Sequence, residues 1–161
     1  MKLITILVSM LLGSFTYAAH NEKSKSVQNI ATATRFIENV LTDPSVSRNL
    51  LHEDFDFEFM GISQLSDTAY DKQTYFSEWM VTVGELIPDG FRKLDVVDAI
   101  GDENAVALMV HGDADGVNGL YANKYVFVFK FSEGAIISLR EYTSDLLVET
   151  RLYKQKLVAE D

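Results

Sequence analysis

The chain contains no cysteine, only two prolines and one tryptophan, and it is short of positive charge, with 14 Lys and Arg against 24 Asp and Glu for a formal net charge of −10. Each shortage excludes something. Without cysteine there is no disulfide, thiol nucleophile or thiolate metal site, so stability must come from the core. So acidic a chain lacks the clustered bases that hold a phosphate backbone, and nucleic acid is not an expected partner. Three histidines without HExxH spacing give no metal site. A Gly-rich phosphate loop and a GxSxG elbow are also missing, so no cofactor is expected.

Long apolar runs are scarce too. Leu3 to Leu12 is well short of the roughly 20 residues a membrane-spanning helix needs. With Lys2 before it and Gly13, Ser14, Thr16, Ala18 and Ala19 after it, this run has the layout of a secretory signal peptide cleaved after Ala18 or Ala19. Residues 1–19 are therefore read as a signal peptide, 20–26 as a polar leader and 27–158 as a single domain, exported to a periplasm or the medium. No stable membrane insertion is expected once the signal is removed.

Within the domain, Val27, Ile30, Ala33, Ile37 and Leu41 recur at helical spacing up to Pro44. A helical turn fits Ser45 to Leu51. Phe55, Phe57 and Phe59 alternate with Asp54, Asp56 and Glu58, the pattern of a half-buried strand ending at Gly61. Residues 62–71 carry turn formers. From Lys72, the set Phe76, Trp79, Met80, Val83 and Leu86 predicts a second amphipathic helix closed by Pro88-Asp89-Gly90. Four strands follow, at 94–100, 105–111, 122–131 and 135–143, joined by turn chemistry at 101–104, 112–119 and 132–134. Ser144 caps a final helix extending to about Leu157. This order predicts an α+β fold with helices on one face of a curved antiparallel sheet.

The stretch 119–143 carries Tyr121-x-Asn123-x-Tyr125, a Phe-x-Phe before Glu133-Gly134, and Leu139-Arg140-Glu141-Tyr142. Together with the helix before Leu51-His52-Glu53-Asp54, it resembles SnoaL-like proteins of the nuclear transport factor 2-like superfamily over nearly all of residues 27–153. The resemblance implies a cone-shaped, cystatin-like roll whose concave sheet and helices enclose one pocket, often in homodimers. Polyketide cyclases, ketosteroid isomerases, limonene epoxide hydrolases and noncatalytic binding modules share that fold, so it does not by itself fix a function.

Candidate site residues follow from strand parity. Glu141 shares a face with Leu139 and Thr143. If that face lines the pocket, aromatic walls desolvate the carboxyl and make it a general acid or base. His111 and Asp113 share a face with Ala107 and Met109, and could join Glu141 in a proton-transfer cluster. The opposite parity buries Val106, Leu108 and Val110 instead. Tyr125, Phe127 and Phe129, with Trp79 and Met109, would wall an apolar pocket for a small apolar or ring-shaped ligand, and Glu58 is a further candidate from the first strand.

The resemblance stops short of the enzymes. Phe127 stands where ketosteroid isomerases carry an oxyanion-stabilising acid. The SnoaL-type ending Arg-Glu-Tyr-x-Asp reads here Arg140-Glu141-Tyr142-Thr143-Ser144-Asp145, which moves the acid by one residue and so to the other strand face. The Asp-Arg-Asp relay of the epoxide hydrolases has no counterpart. The expected function is thus ligand binding without turnover. Acid-base catalysis by Glu141 and His111 is the alternative, and a dimerisation module using Val126 and Val128 between Lys124 and Lys130 is the third reading.

Overall fold

The structure is a computed structural model and describes residues 24–159. The signal-peptide reading of residues 1–19 lies outside the described residues. Helix α1 covers residues 24–39, so part of the stretch read as a leader is helical. Its inward stripe is Ala33, Phe36, Ile37 and Val40, all 5% exposed or less, whereas Val27 is 61% exposed. The helix is thus rotated from the face marked by Val27 and Leu41, because Phe36 brings the largest apolar area to the sheet. Ser26 and Asn29 fasten it by donating to the Gly101 and Asp102 carbonyls, at 2.9 and 3.2 Å.

A short helix α2 (Pro44–Asn49) begins on a proline, whose fixed φ suits the first helical turn. Strand β1 (Leu51–Met60) buries Phe55, Phe57 and Phe59 and turns Asp54, Asp56 and Glu58 outward, as the alternation requires. A three-residue strand β2 (Ala69–Asp71) then pairs with β1 inside the segment read only as turn.

Helix α3 follows at once, built of Lys72–Thr74, a π-helical stretch Tyr75–Trp79 and Met80–Leu86. A capping box starts it. The Asp71 carboxylate accepts from the Gln73 and Thr74 amides, at 2.9 and 2.8 Å, while Thr74 Oγ1 accepts from the Asp71 amide.

Strands β3 (Phe91–Gly101), β4 (Ala105–Gly116), β5 (Gly119–Ser132) and β6 (Ala135–Tyr142) complete a six-stranded sheet in the order β2-β1-β6-β5-β4-β3. The sheet is curved and does not close. It is not wholly antiparallel, since β1 runs parallel to β6, which places Phe59 beside Glu141. Residues 112–119 are not a loop. β4 and β5 extend through them and leave Val117 and Asn118 as the turn.

Gly112 and Gly116, within β4, serve packing. A Cβ on Gly112 would meet the Tyr125 ring at 2.7 Å, and one on Gly116 would meet Leu152 at 2.6 Å. The C-terminal helix α4 is shorter than expected: Ser144 caps Asp145–Leu147, a π-helical stretch Val148–Leu152 follows, and regular structure ends there.

The core lies between the concave face of the sheet and helices α1 and α3. Phe36 meets Phe129 edge-on at 5.9 Å, and Phe57 packs on Tyr75 and Trp79 at 5.0 and 4.8 Å. Among the described residues, no helix is long and apolar enough to cross a membrane.

Candidate functional site

Between the concave face of the sheet and helices α1 and α3 the packing is incomplete and leaves a cavity of about 70 Å³. Seven aromatic residues line it: Phe59 from β1, Tyr75 and Trp79 from α3, Phe91 from β3, and Tyr121, Tyr125 and Phe127 from β5. The π-helical turn sets the α3 pair. Tyr75 and Trp79 are its first and last residues, and both point at the sheet, 4% and 3% exposed. On β5 the period of two puts Tyr121, Tyr125 and Phe127 on one face, where Tyr125 and Phe127 stack 5.5 Å apart with ring planes within 14°. Leu65 and Leu152 close one side, while Ile37, Val83 and Phe91 lead to a groove of about 480 Å³ between α1, α3 and the start of β3.

Glu141 supplies the cavity's one charged side chain among the described residues. Its carboxyl makes no hydrogen bond to any described residue, and what surface it keeps faces the cavity. Burial disfavours the charged form, so its pKa is pushed up to about 8. The carboxyl is therefore largely neutral at pH 7. Its charge, when present, reaches three phenols: burial first, and the Glu141 carboxylate second, raise the pKa of Tyr75. Tyr121 and Tyr125 are also raised, chiefly by burial.

The two β5 phenols differ in how they are satisfied. Tyr121 accepts a hydrogen bond from the Asn123 amide at 3.1 Å. The Tyr121 and Tyr125 hydroxyls lie close enough to perturb each other without meeting hydrogen-bond geometry. The Tyr125 hydroxyl is accordingly buried without a partner among the described residues. Sequence reasoning singled out Tyr125 but missed Tyr75 and Tyr121, although the two-residue spacing of Tyr121, Asn123 and Tyr125 was a usable signal for the latter.

The residues chosen from sequence divide sharply. Trp79, Tyr125, Phe127 and Glu141 come together around the cavity. Phe129 shares their strand face but lies deeper, fully buried against Phe36. His111, Asp113 and Met109 are not brought to Glu141. β4 takes the opposite parity, burying Val106, Leu108 and Val110, so these three stand on the outer face of the sheet.

On that outer face His111 is exposed and Asp113 pairs with Arg92, 2.6 Å between Nη2 and Oδ1. The Arg92 bond, with help from its charge, holds the Asp113 carboxyl below its usual range. Glu58 also faces outward and lies 3.4 Å from Arg140, which hydrogen bonds Asp56. The His111–Asp113–Glu141 cluster is thus not assembled, because three more apolar side chains favour burying the other face. No group of three or more potential metal ligands occurs among the described residues.

Taken together, a curved sheet wrapped by α1 and α3 around an acid-bearing aromatic cavity defines an α+β roll of the cystatin-like kind. The chain has the fold of nuclear transport factor 2-like and SnoaL-like proteins. It superposes on Bal32a, from a soil-derived mobile gene cassette, with a TM-score of 0.69 at 19% identity, over 80% of this chain and 98% of that one. A candidate SnoaL-like polyketide cyclase from Jannaschia sp. CCS1 gives 0.68 at 17% identity, over 81% and 95%. A candidate isomerase from Bacillus subtilis gives 0.61 at 19%, over 80% and 94%. At these identities the likeness concerns the fold alone. No family model and no curated protein sequence matches the chain.

Proposed function

We propose that this protein is exported and binds a small apolar or ring-shaped ligand in the aromatic cavity, without a cofactor. The supporting observation is a set of seven aromatic residues around a cavity whose one acid has no partner among the described residues. Apolar walls supply the affinity, and the few polar atoms set orientation. The cavity of about 70 Å³ is smaller than the roughly 150 Å³ that holds a benzene ring, and the adjoining groove of about 480 Å³, which shares Ile37, Val83 and Phe91 with it, supplies the remaining room for a small ring. Trp79 is the sole tryptophan and lines the cavity, so its fluorescence reports occupancy. Titration with small cyclic hydrocarbons and alcohols is expected to give a saturable change that survives Glu141→Gln. A flat response across the panel would remove the proposal.

A second reading, cofactor-independent acid-base catalysis, is favoured by one observation. A carboxyl with a pKa near 8 is poised to exchange protons near neutral pH. In that reading Glu141 moves the proton and the Tyr125 hydroxyl hydrogen bonds the substrate, with no part for His111. The Bacillus subtilis and Jannaschia proteins lend the words isomerase and polyketide cyclase to such a search, but not a substrate. Glu141→Gln should abolish turnover while leaving the fold intact, and a fully active variant would exclude this role.

Two further elements belong to the proposal. Cleavage after Ala18 or Ala19 would be read by amino-terminal sequencing of protein recovered from the periplasm or medium, and an intact Met1 there would count against it. On the outer face Val126 is 39% and Tyr142 44% exposed, and a second copy of the chain is the proposed occupant. Sedimentation at micromolar concentration distinguishes dimer from monomer.

A further inference from the structure

If the cavity is a ligand site, its lining narrows the ligand's chemistry. The only ionisable side chains around it are the acid Glu141 and the phenols Tyr75, Tyr121 and Tyr125; no Lys, Arg or His lines it among the described residues. Aromatic faces carry the negative side of the ring quadrupole and attract cations. Two polar groups lack partners among the described residues. The Glu141 carboxylate can only accept hydrogen bonds once ionised, and the Tyr125 oxygen can accept as well. An anionic ligand would meet an acid and seven aromatic faces with no compensating charge among the described residues.

The approach to the cavity agrees. The two cations beside the groove are neutralised: Arg92 pairs with Asp113 and Asp115, and Lys93 with Asp95 at 2.5 Å. Glu38, also on the groove, and the formal net charge of −10 draw cations toward it.

We propose that the ligand is a small apolar amine, its ammonium group held by Glu141 and Tyr125 inside the aromatic cage. This rests on the binding reading above. The proton count gives it a signature. An ion pair needs Glu141 ionised and the amine protonated, so affinity is greatest between the pKa of Glu141, about 8, and that of a primary amine, about 10. The ionisable groups facing Glu141 are Tyr75 from α3 and Tyr121 and Tyr125 from β5. All three are raised above the ordinary tyrosine value and stay neutral through that interval.

The test uses three probes of one shape: cyclohexylamine, cyclohexanol and cyclohexanecarboxylate. Each is titrated at pH 6 and pH 9, following Trp79 fluorescence in the wild type and in Glu141→Gln, with circular dichroism confirming the fold. The expected result is that cyclohexylamine binds at pH 9 at least tenfold more tightly than cyclohexanol, and that Glu141→Gln removes this advantage.

Cyclohexanol binding as well as or better than the amine overturns the amine inference and leaves the pocket reading standing, as does preference for the carboxylate. An amine advantage that survives Glu141→Gln also overturns it. If no probe binds at either pH, both readings fall together.

Discussion

Glu141→Gln should change how stability depends on pH more than it changes stability itself. In the unfolded chain the carboxyl loses its proton near 4.5, and in the folded protein it keeps it to about 8. Between those values unfolding releases a proton, so raising the pH favours the unfolded chain. The contribution is whole below 4.5 and is lost as pH rises through 8. The full shift is worth at most about 5 kcal/mol, and the interval from pH 5 to pH 8 about 3 to 4 kcal/mol.

That is a large share of the roughly 5–15 kcal/mol typical of a domain. Glutamine fills nearly the same volume and stays neutral. The variant should therefore match the wild type near pH 5 and exceed it by about 3 kcal/mol near pH 8. Urea unfolding at four pH values reads this directly.

The other acids with resolved shifts act outside the window. Asp43, Glu53, Asp71, Asp102 and Asp113 are held low by hydrogen bonds from Ser45, Lys72, Thr74, Asn104 and Arg92 respectively, so their contributions fade only in stronger acid. Tyr125, Tyr121 and Tyr75 are raised and begin to titrate only in stronger base. If wild type and variant track each other within about 0.5 kcal/mol from pH 5 to pH 8, Glu141 is not desolvated and the electrostatic account of the cavity fails.

Further substitutions probe other parts of the same picture. His111→Ala should leave the Trp79 response to cyclic ligands unaltered, since His111 stands on the opposite side of the sheet; more than a twofold loss of affinity would return it to the site. Tyr125→Phe removes a buried hydroxyl that has no partner among the described residues, so urea unfolding should show no loss or a small gain, and a loss above about 1 kcal/mol would mean the hydroxyl is satisfied. Gly112→Ala should cost about 1–3 kcal/mol by driving a methyl into the Tyr125 ring, whereas Gly84→Ala, in the exposed interior of α3 with open space around it, should gain about 0.5–1 kcal/mol. Thermal melts of the two alanine variants moving in the same direction would contradict that contrast.

Elements with a strong period were legible in the sequence. The Phe55-Phe57-Phe59 alternation gave β1, and the helical spacing from Lys72 gave α3 with its correct end at Leu86. What failed was composition read as conformation. Gly112 and Gly116 looked like turn chemistry because glycine usually marks a turn. Here they sit in β4, where a missing Cβ lets Tyr125 and Leu152 approach, and no local pattern announces a partner more than ten residues away. β2 was missed for a related reason. Three residues pairing with Asp56, Phe57 and Glu58 carry too little pattern of their own, and only the Asp71-x-x-Thr74 cap marks where that strand must stop.

The candidate site shows why parity alone underdetermines a pocket. A strand's period of two sorts residues into faces but leaves open which face is inward, and the choice falls to the larger apolar area. On β6 the two agree, since Leu139 takes Glu141 inward with it. On β4 they conflict: the face bearing His111 and Asp113 offers Ala107 and Met109, while the other offers Val106, Leu108 and Val110. Burial of the second set sends the histidine to solvent, and the acid is left without the imidazole that would have satisfied it. That unsatisfied carboxyl is itself the consequence of a core chosen by hydrophobic area, and a ligand or substrate that supplies a partner recovers part of the cost of holding it there.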